Sequence, residues 1–268
     1  MSLTTGKTRI LLTVLLVLVV AVAASATGCG SSSGSSNTGS QKADFTYAAS
    51  GLYPPFSFAK NGEVTGFDVE LGKLLAEKMG MTPKFVTNPF ETIIQGLTSS
   101  KYDAVIGSLT VTPERQQQVD FTIPYYTTGA QIYVQADNTD ITGPADLRGK
   151  SIGVVKASTF LAMAQKMTDK SKAIGFDSDV IALQDLVAGR VDAVITDQIV
   201  GGLAIKKGLA IKAVGEPFAV ADQAIAVRKD EPQLLANLNK ALEEAKADGS
   251  YKALSMKWLG QVLLSGVQ

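Results

Sequence analysis

The tetrapeptide Asp-Ala-Val-Ile occurs twice, at Asp103–Ile106 and at Asp192–Ile195. Each copy follows an apolar-periodic helical stretch and a short turn, and each reads as a short buried strand. A small polar cluster comes next in both cases: Ser108 and Thr110 after the first copy, Thr196 and Asp197 after the second. The echo points to two α/β units of the same kind. In open α/β sheets, ligands settle at the carboxyl ends of strands. Two units whose strand ends face one another would therefore enclose a cleft.

The rest of the chain fits this alternation. Strands are expected at Phe45–Ala49, Lys84–Thr87, Ser151–Val155 and Gln223–Val227, with Ala130–Val134 as an extended crossing. Ser50–Phe56 is expected as a loop, because Gly51, Pro54 and Pro55 oppose a regular element. A helix is predicted from Gly66, capped by Asp68 and ended by Gly80, with Val69, Leu71, Leu74, Leu75 and Met79 on its buried side. Further helices are predicted around Ile93–Leu97, through Leu161, Ala164 and Met167, over Ile181–Ala188, after Asp197, over Glu231–Asp248 and over Tyr251–Trp258.

Between the first echo and Tyr126, Thr112-Pro113-Glu114 reads as a helix start: an N-cap hydroxyl, a proline in the first turn and an acid beside it. Arg115 then faces the positive end of the helix dipole, which costs roughly 0.3–1 kcal/mol if nothing compensates. Either a bound anion or a surface ion pair with Glu114 or Asp120 would compensate. Asp197 reads as the N-cap of the next helix and as an anion opposite Arg115, two roles that are compatible. A cation and an anion on facing walls complement a zwitterion. Arg115 would clamp a carboxylate, with Thr159 at a helix N-terminus adding to it, while Asp197, Ser108 and Thr110 would accept from an ammonium.

The composition narrows the chemistry further. Charged residues make up 19% of the 268-residue chain and the formal net charge is zero, so there is no basic footprint for nucleic acid. With no His and one Cys, the chain has no Ser-His-Asp or Cys-His nucleophile pair, no His-based metal site and no intramolecular disulfide. Neither a metal nor a cofactor is expected. Lys7 and Arg9 precede an apolar run from Ile10 to Ala24, shorter than the ~20 residues of a comfortable bilayer span. Charge, length and exit read as an export signal over residues 1–28. Ala26-Thr27-Gly28-Cys29 looks like a bacterial lipobox, which implies cleavage before Cys29 and lipidation of its sulfur. Removal of residues 1–28 leaves 23 basic and 25 acidic side chains. Residues 29–42 are then the lipidated Cys and a Gly/Ser tether that would hold the folded part near a membrane partner. The expected location is extracytoplasmic, anchored to the outer face of the plasma membrane or in the periplasm.

Thr110-Val-Thr-Pro-Glu-Arg115, followed by Val119-Asp-Phe-Thr-Ile-Pro-Tyr125, resembles the family 3 extracellular solute-binding proteins, the polar amino-acid receptors of bacterial ABC importers. The resemblance runs from about Phe45 to about Leu259. It implies a two-lobe α/β fold of the periplasmic-binding-protein type II kind, with residues 43–130 plus 224–268 in lobe 1 and 131–223 in lobe 2. Hinge strands would pass near Ala130–Val134 and Ala219–Gln223. By the same resemblance Tyr53 and Phe90 face each other across the solute. Arg115, the Ser158–Thr159 pair and Asp197 hold its backbone groups, helped by Ser108 and Thr110. Lys156 stands where glutamine-binding relatives carry Lys, and Ser50 where many relatives carry an acid. Together these imply a polar neutral amino acid such as glutamine, with an acidic one as the other possibility. The implied partners are a permease and its ATPase, the chain itself being monomeric and not an enzyme. Two other readings sit on the same fold. One is a cyclohexadienyl dehydratase-like enzyme using Asp197, Glu91 or Glu114 as general acid; the other is a sensory solute-binding lipoprotein.

Overall fold

A computed structural model describes residues 42–263. The export signal, Cys29 and most of the tether lie outside the described residues.

Both Asp-Ala-Val-Ile segments do the same structural job. Asp103 donates its N–H to the Thr46 carbonyl at 2.8 Å, and its carboxylate accepts the Thr46 N–H at 2.8 Å. Asp192 donates its N–H to the Ser151 carbonyl at 2.9 Å, and its carboxylate accepts the Ser151 N–H and hydroxyl, each at 2.7 Å. Each aspartate thus closes a ring onto the residue just before the first ladder pair with the neighbouring parallel strand. Immediately after it, Ala104 pairs with Tyr47 and Ala193 with Ile152.

The first half contains β1 (Asp44–Ala49), a three-stranded antiparallel ribbon of β2 (Leu52–Tyr53), β3 (Ser57–Lys60) and β4 (Glu63–Thr65), then α1 (Phe67–Lys78) and β5 (Thr82–Thr87). It continues with α2 (Ile93–Thr98), β6 (Ala104–Thr110), the short α3 (Pro113–Gln116) and β7 (Asp120–Phe121). β8 (Tyr126–Gln135) crosses to the second half, built from β9 (Ile152–Val155), α4 (Thr159–Met167), β10 (Ala173–Phe176), α5 (Asp179–Val187), β11 (Ala193–Asp197) and α6 (Gln198–Lys206). β12 (Ile211–Val227) crosses back, and α7 (Pro232–Ala247) and α8 (Ser250–Leu259) pack on the first half.

The main sheet runs β10-β9-β11-β8-β12-β6-β1-β5, with β7 beside β12. β5, β1 and β6 are mutually parallel, as are β10, β9 and β11. In each half the third strand of the trio carries the repeated tetrapeptide and meets an antiparallel crossing strand: β12 beside β6, β8 beside β11. Two lobes of like topology result, each with its own buried cores.

A second repeated device fastens helices to strands. The Tyr47, Tyr102 and Tyr133 hydroxyls donate to the carbonyls of Val69, Ile93 and Gln198 at 2.7, 2.6 and 3.1 Å. Three residues further along each helix stands a glycine: Gly72, Gly96 or Gly201. A methyl group at any of them would lie 2.1 Å from the facing tyrosine. The missing side chain therefore opens the helix surface so that the ring can lie on it and its hydroxyl can reach a carbonyl.

Several expectations need correction. Asp68 does not cap α1: the N-cap is Gly66, which makes no side-chain cap bond, and Asp68 is fully buried inside the first turn. The strand expected at Gln223–Val227 is the end of a 17-residue strand that begins at Ile211. β2 lies inside the stretch expected as a loop, and β3, β4 and β10 form in stretches without a long apolar run. The helix expected from Ile181 starts at Asp179 with Ser178 as its cap, the Ser178 hydroxyl accepting from Ile181 N–H at 3.3 Å.

Gly72→Ala is expected to destabilise the fold by roughly 1–3 kcal/mol through overpacking against Tyr47, and Tyr47→Phe by about 1 kcal/mol through the lost hydrogen bond. Urea unfolding measures both, and an unchanged midpoint in Gly72→Ala would show that the ring swings away freely.

Candidate functional site

The strand ends of the two lobes meet across a narrow cavity of about 50 Å³. On the first lobe, β6 ends in Gly107, Ser108, Leu109 and Thr110. Ser108 is left-handed at φ 53°, a conformation that costs a non-glycine residue roughly 1–2 kcal/mol. Three hydrogen bonds hold it there. Its N–H donates to the Tyr125 hydroxyl at 2.8 Å, its hydroxyl donates to Asp68 Oδ2 at 2.9 Å, and the Tyr125 hydroxyl donates to Asp68 Oδ1 at 3.0 Å. Burial pushes the Asp68 carboxyl up to about 7 despite the Ser108 and Tyr125 bonds that oppose the rise.

Thr112 caps α3 by accepting the Arg115 N–H at 3.3 Å, with Pro113 in the first turn. The Arg115 side chain then folds back over the strand end. Its Nη1 donates to the Thr110 carbonyl at 2.8 Å, and its Nη2 reaches the other lobe at the Ala157 carbonyl, 3.3 Å away. The guanidinium carbon lies 5.7 Å from the centre of the Phe90 ring. Arg115 is only 9% exposed. Burial lowers its pKa to about 10, so it stays cationic at neutral pH. Among the described residues no carboxylate pairs with it, and Asp120 is held by Lys229 at 3.1 Å. The surface ion pair considered from the sequence is absent.

On the second lobe, β9 leads through Lys156 and Ala157 to α4. Ser158 is the N-cap, but its hydroxyl donates to the Val155 carbonyl at 2.6 Å and makes no cap bond. The first-turn N–H groups, Thr159 among them, therefore have no side-chain acceptor and add positive potential beside Arg115. β11 ends in Thr196 and Asp197. Asp197 caps α6, accepting the Ile199 N–H at 2.7 Å and the Thr128 hydroxyl at 3.1 Å through one oxygen, Oδ1. It is 2% exposed, and burial pushes it up to about 7. Nearby Asp179, the first residue of α5, accepts the Thr196 hydroxyl; burial pushes it up to about 6. Among the described residues neither Asp179 nor Asp197 has a cationic partner.

The cavity thus brings together Tyr53, Phe90, Ser108, Thr110, Arg115, Ser158, Thr159 and Asp197 from the sequence-derived set. Tyr53 stacks on Phe56, which stacks on Tyr126, at centroid separations of 5.2 and 5.3 Å. Lys156 is not brought in. It does not line the cavity, and its ammonium donates to Asp177 at 2.8 Å on the exposed rim. Ser50, Asp179 and Gln223 line the cavity as well. Gln223 accepts the Thr110 hydroxyl at 3.1 Å.

Sequence reasoning passed over Asp68 and Asp179, although each left a signal. Asp68 lies on the helical stripe of Leu71, Gly72, Leu75 and Ala76, all buried, and a carboxylate on an apolar stripe is a buried carboxylate. Asp179 follows Ser178, an N-cap residue type three positions before the expected helix start. The assembled site offers one wall for an anion, one for a cation, and two aromatic side chains for the apolar body between them.

Known proteins carry the same fold. The ABC transporter arginine-binding protein 1 of Escherichia coli (strain K12) is 38% identical over 221 residues, covering 80% of this chain and 90% of its own. An ancestral arginine-binding protein bound to glutamine superposes with a TM-score of 0.76 at 38% identity, covering 82% of this chain and 99% of that one. The ancestral amino acid-binding protein AncCDT-1, a precursor of cyclohexadienyl dehydratase, gives a TM-score of 0.75 at 37% identity, covering 81% and 95%. Residues 45–261 match the bacterial extracellular solute-binding proteins, family 3, and this chain is a member of that family.

Proposed function

We propose that the chain is the extracytoplasmic binding component of an amino-acid ABC importer, and that it closes its two lobes around one free α-amino acid. One observation carries the reading: a guanidinium with no carboxylate partner among the described residues, and a carboxylate with no cationic partner among them, are both buried and line the same cavity. Each charge is costly to bury alone, and a zwitterion answers both. Arg115 and the N-terminus of α4 take the α-carboxylate, Asp197 takes the α-ammonium, and Tyr53 and Phe90 enclose the side chain.

The side chain is read as polar and donor-bearing, an amide or a guanidinium, because the second-lobe wall presents Asp179 beside Asp197. Glutamine stays within that class, though no longer on account of Lys156, which Asp177 occupies. An acidic side chain would meet Asp179 with Arg115 already engaged. Closure is a population shift in which contacts from the second lobe stabilise the closed form. It would pivot on β8 and β12, where Ala219 is left-handed at φ 51°. Lobes divided as 43–130 plus 224–268 and 131–223, a lipid anchor at Cys29, and partnership with a permease and ATPase belong to the same reading. The dehydratase alternative has less support, since Glu91 and Glu114 are exposed and neither lines the cavity.

Isothermal titration against the twenty amino acids and L-cystine, after unfolding and refolding to strip carried ligand, is expected to find tight binding of L-glutamine, L-arginine or both. Arg115→Ala should weaken that binding by at least about thirtyfold, since truncating one member of a buried charge pair costs about 2–5 kcal/mol. Equal affinity in the variant would sink the assignment.

A second expectation concerns pH. Asp68, Asp197 and Asp179 have folded-state values of about 7, 7 and 6 against an ordinary 3.8. Between those limits the folded protein binds more protons than the unfolded chain, so stability falls as pH rises. The ligand-free thermal midpoint should therefore be higher near pH 5 than near pH 7.5, with a smaller difference in Asp197→Asn. A scanning-calorimetry series that rises with pH would contradict this.

A further inference from the structure

We propose that Asp68 is a positioning residue for the ligand's α-ammonium group, acting through the Ser108 hydroxyl. The proposal rests on the amino-acid reading above and adds a second acidic group to the ammonium wall, one that does not itself line the cavity.

A serine hydroxyl has one proton to give. Ser108 gives it to Asp68 Oδ2 at 2.9 Å, so its oxygen can turn only lone pairs toward the cavity it lines. Those lone pairs suit an ammonium and repel a carboxylate. The arrangement is fixed on its other side as well. Asp68 Oδ1 accepts from Tyr125, and the Tyr125 hydroxyl accepts the Ser108 N–H. This closed ring leaves the Ser108 backbone and side chain little freedom to reverse. Asp68 is fully buried and makes no ion pair among the described residues. Its charge therefore reaches the cavity through a single polarised hydroxyl, in addition to the direct contact offered by Asp197.

Replacement by asparagine reverses this polarity at constant shape. With Tyr125 donating to the amide oxygen, the amide nitrogen must donate to Ser108 Oγ, and the serine proton turns toward the ligand. A donor then faces the ammonium where an acceptor stood.

The test compares L-glutamine and L-arginine with glutaramic acid and 5-guanidinopentanoic acid, which match them but lack the α-ammonium. Titrations use the parent protein, Asp68→Asn, Ser108→Ala and the double variant. Asp68→Asn is expected to weaken the amino acids by about ten- to a hundredfold, while the deamino acids change by less than about threefold, so the preference for an ammonium shrinks. In the Ser108→Ala background, Asp68→Asn should cause no further loss of that preference, because the route is already cut. Equal weakening of both ligand classes by Asp68→Asn would make Asp68 merely structural and overturn the proposal. If Asp68→Asn does not fold, Ser108→Ala decides alone, and an unchanged preference overturns the proposal. Parent protein that binds neither amino acid overturns the reading on which the proposal rests. Parent protein that binds, and loses binding on Arg115→Ala, leaves that reading standing whatever happens at Asp68.

Discussion

The cleft depends on two parallel strand pairs being held in register, and in each lobe one aspartate holds them. Asp103 and Asp192 each exchange main-chain and carboxylate hydrogen bonds with the residue just before the first ladder pair on the adjacent strand, Thr46 and Ser151. A parallel ladder has slanted bonds and no hairpin to set its alignment. A slip of one residue would turn every side chain to the opposite face. With the strand starts fixed, the strand ends are fixed too: Ser108 and Thr110 in one lobe, Thr196 and Asp197 in the other. The cavity-lining residues Ser108, Thr110 and Asp197 stand a few positions downstream of these clamps.

Around those ends the protein buries ionisable groups in places that disfavour ionisation. Arg115 is pushed down and Asp68, Asp179 and Asp197 are pushed up, burial being the largest cause in each case. Neutral hydrogen bonds from Thr196, Thr128, Tyr125 and main-chain groups soften the cost without cancelling the charge. A cavity prepared in this way gains most from a ligand that brings both signs at once, and a ligand with one sign leaves one wall unanswered. Charge and polarity, more than shape alone, therefore set what the cleft accepts.

Much of this was legible in the sequence. The repeated tetrapeptide gave the two like units. Thr112-Pro113-Glu114-Arg115 gave a helix start with a cation in the wrong place for the dipole, and Asp197 gave an anion at the matching strand end. What escaped notice depends on contacts distant in the chain. Asp68 was read as a helix cap because its partners, Ser108 and Tyr125, lie 40 and 57 residues away. The resemblance to glutamine-binding relatives points to Lys156, and nothing local in the sequence announces its ion pair with Asp177, which follows the neighbouring edge strand β10. β10 and the short ribbon after β1 lack the apolar periodicity that marks an element, since their pairing comes from neighbours and not from their own pattern. The tyrosine–glycine fastenings are visible only once helix and strand are side by side.

β12 carries register breaks between Val214 and Phe218 and again between Phe218 and Ala221. It pairs with β8 on both sides of them, and after them also with β6, where a further shift falls between Ala224 and Ala226. An irregularity confined to one strand of a pair absorbs a change of length locally. A residue gained or lost in that interval would alter the bulge and leave the inward and outward faces of Gln223–Val227 as they are. The crossing therefore insulates the two lobes from each other's history: strand lengths and surface loops can drift in one without transposing the pleat of the other, although both share a single ladder.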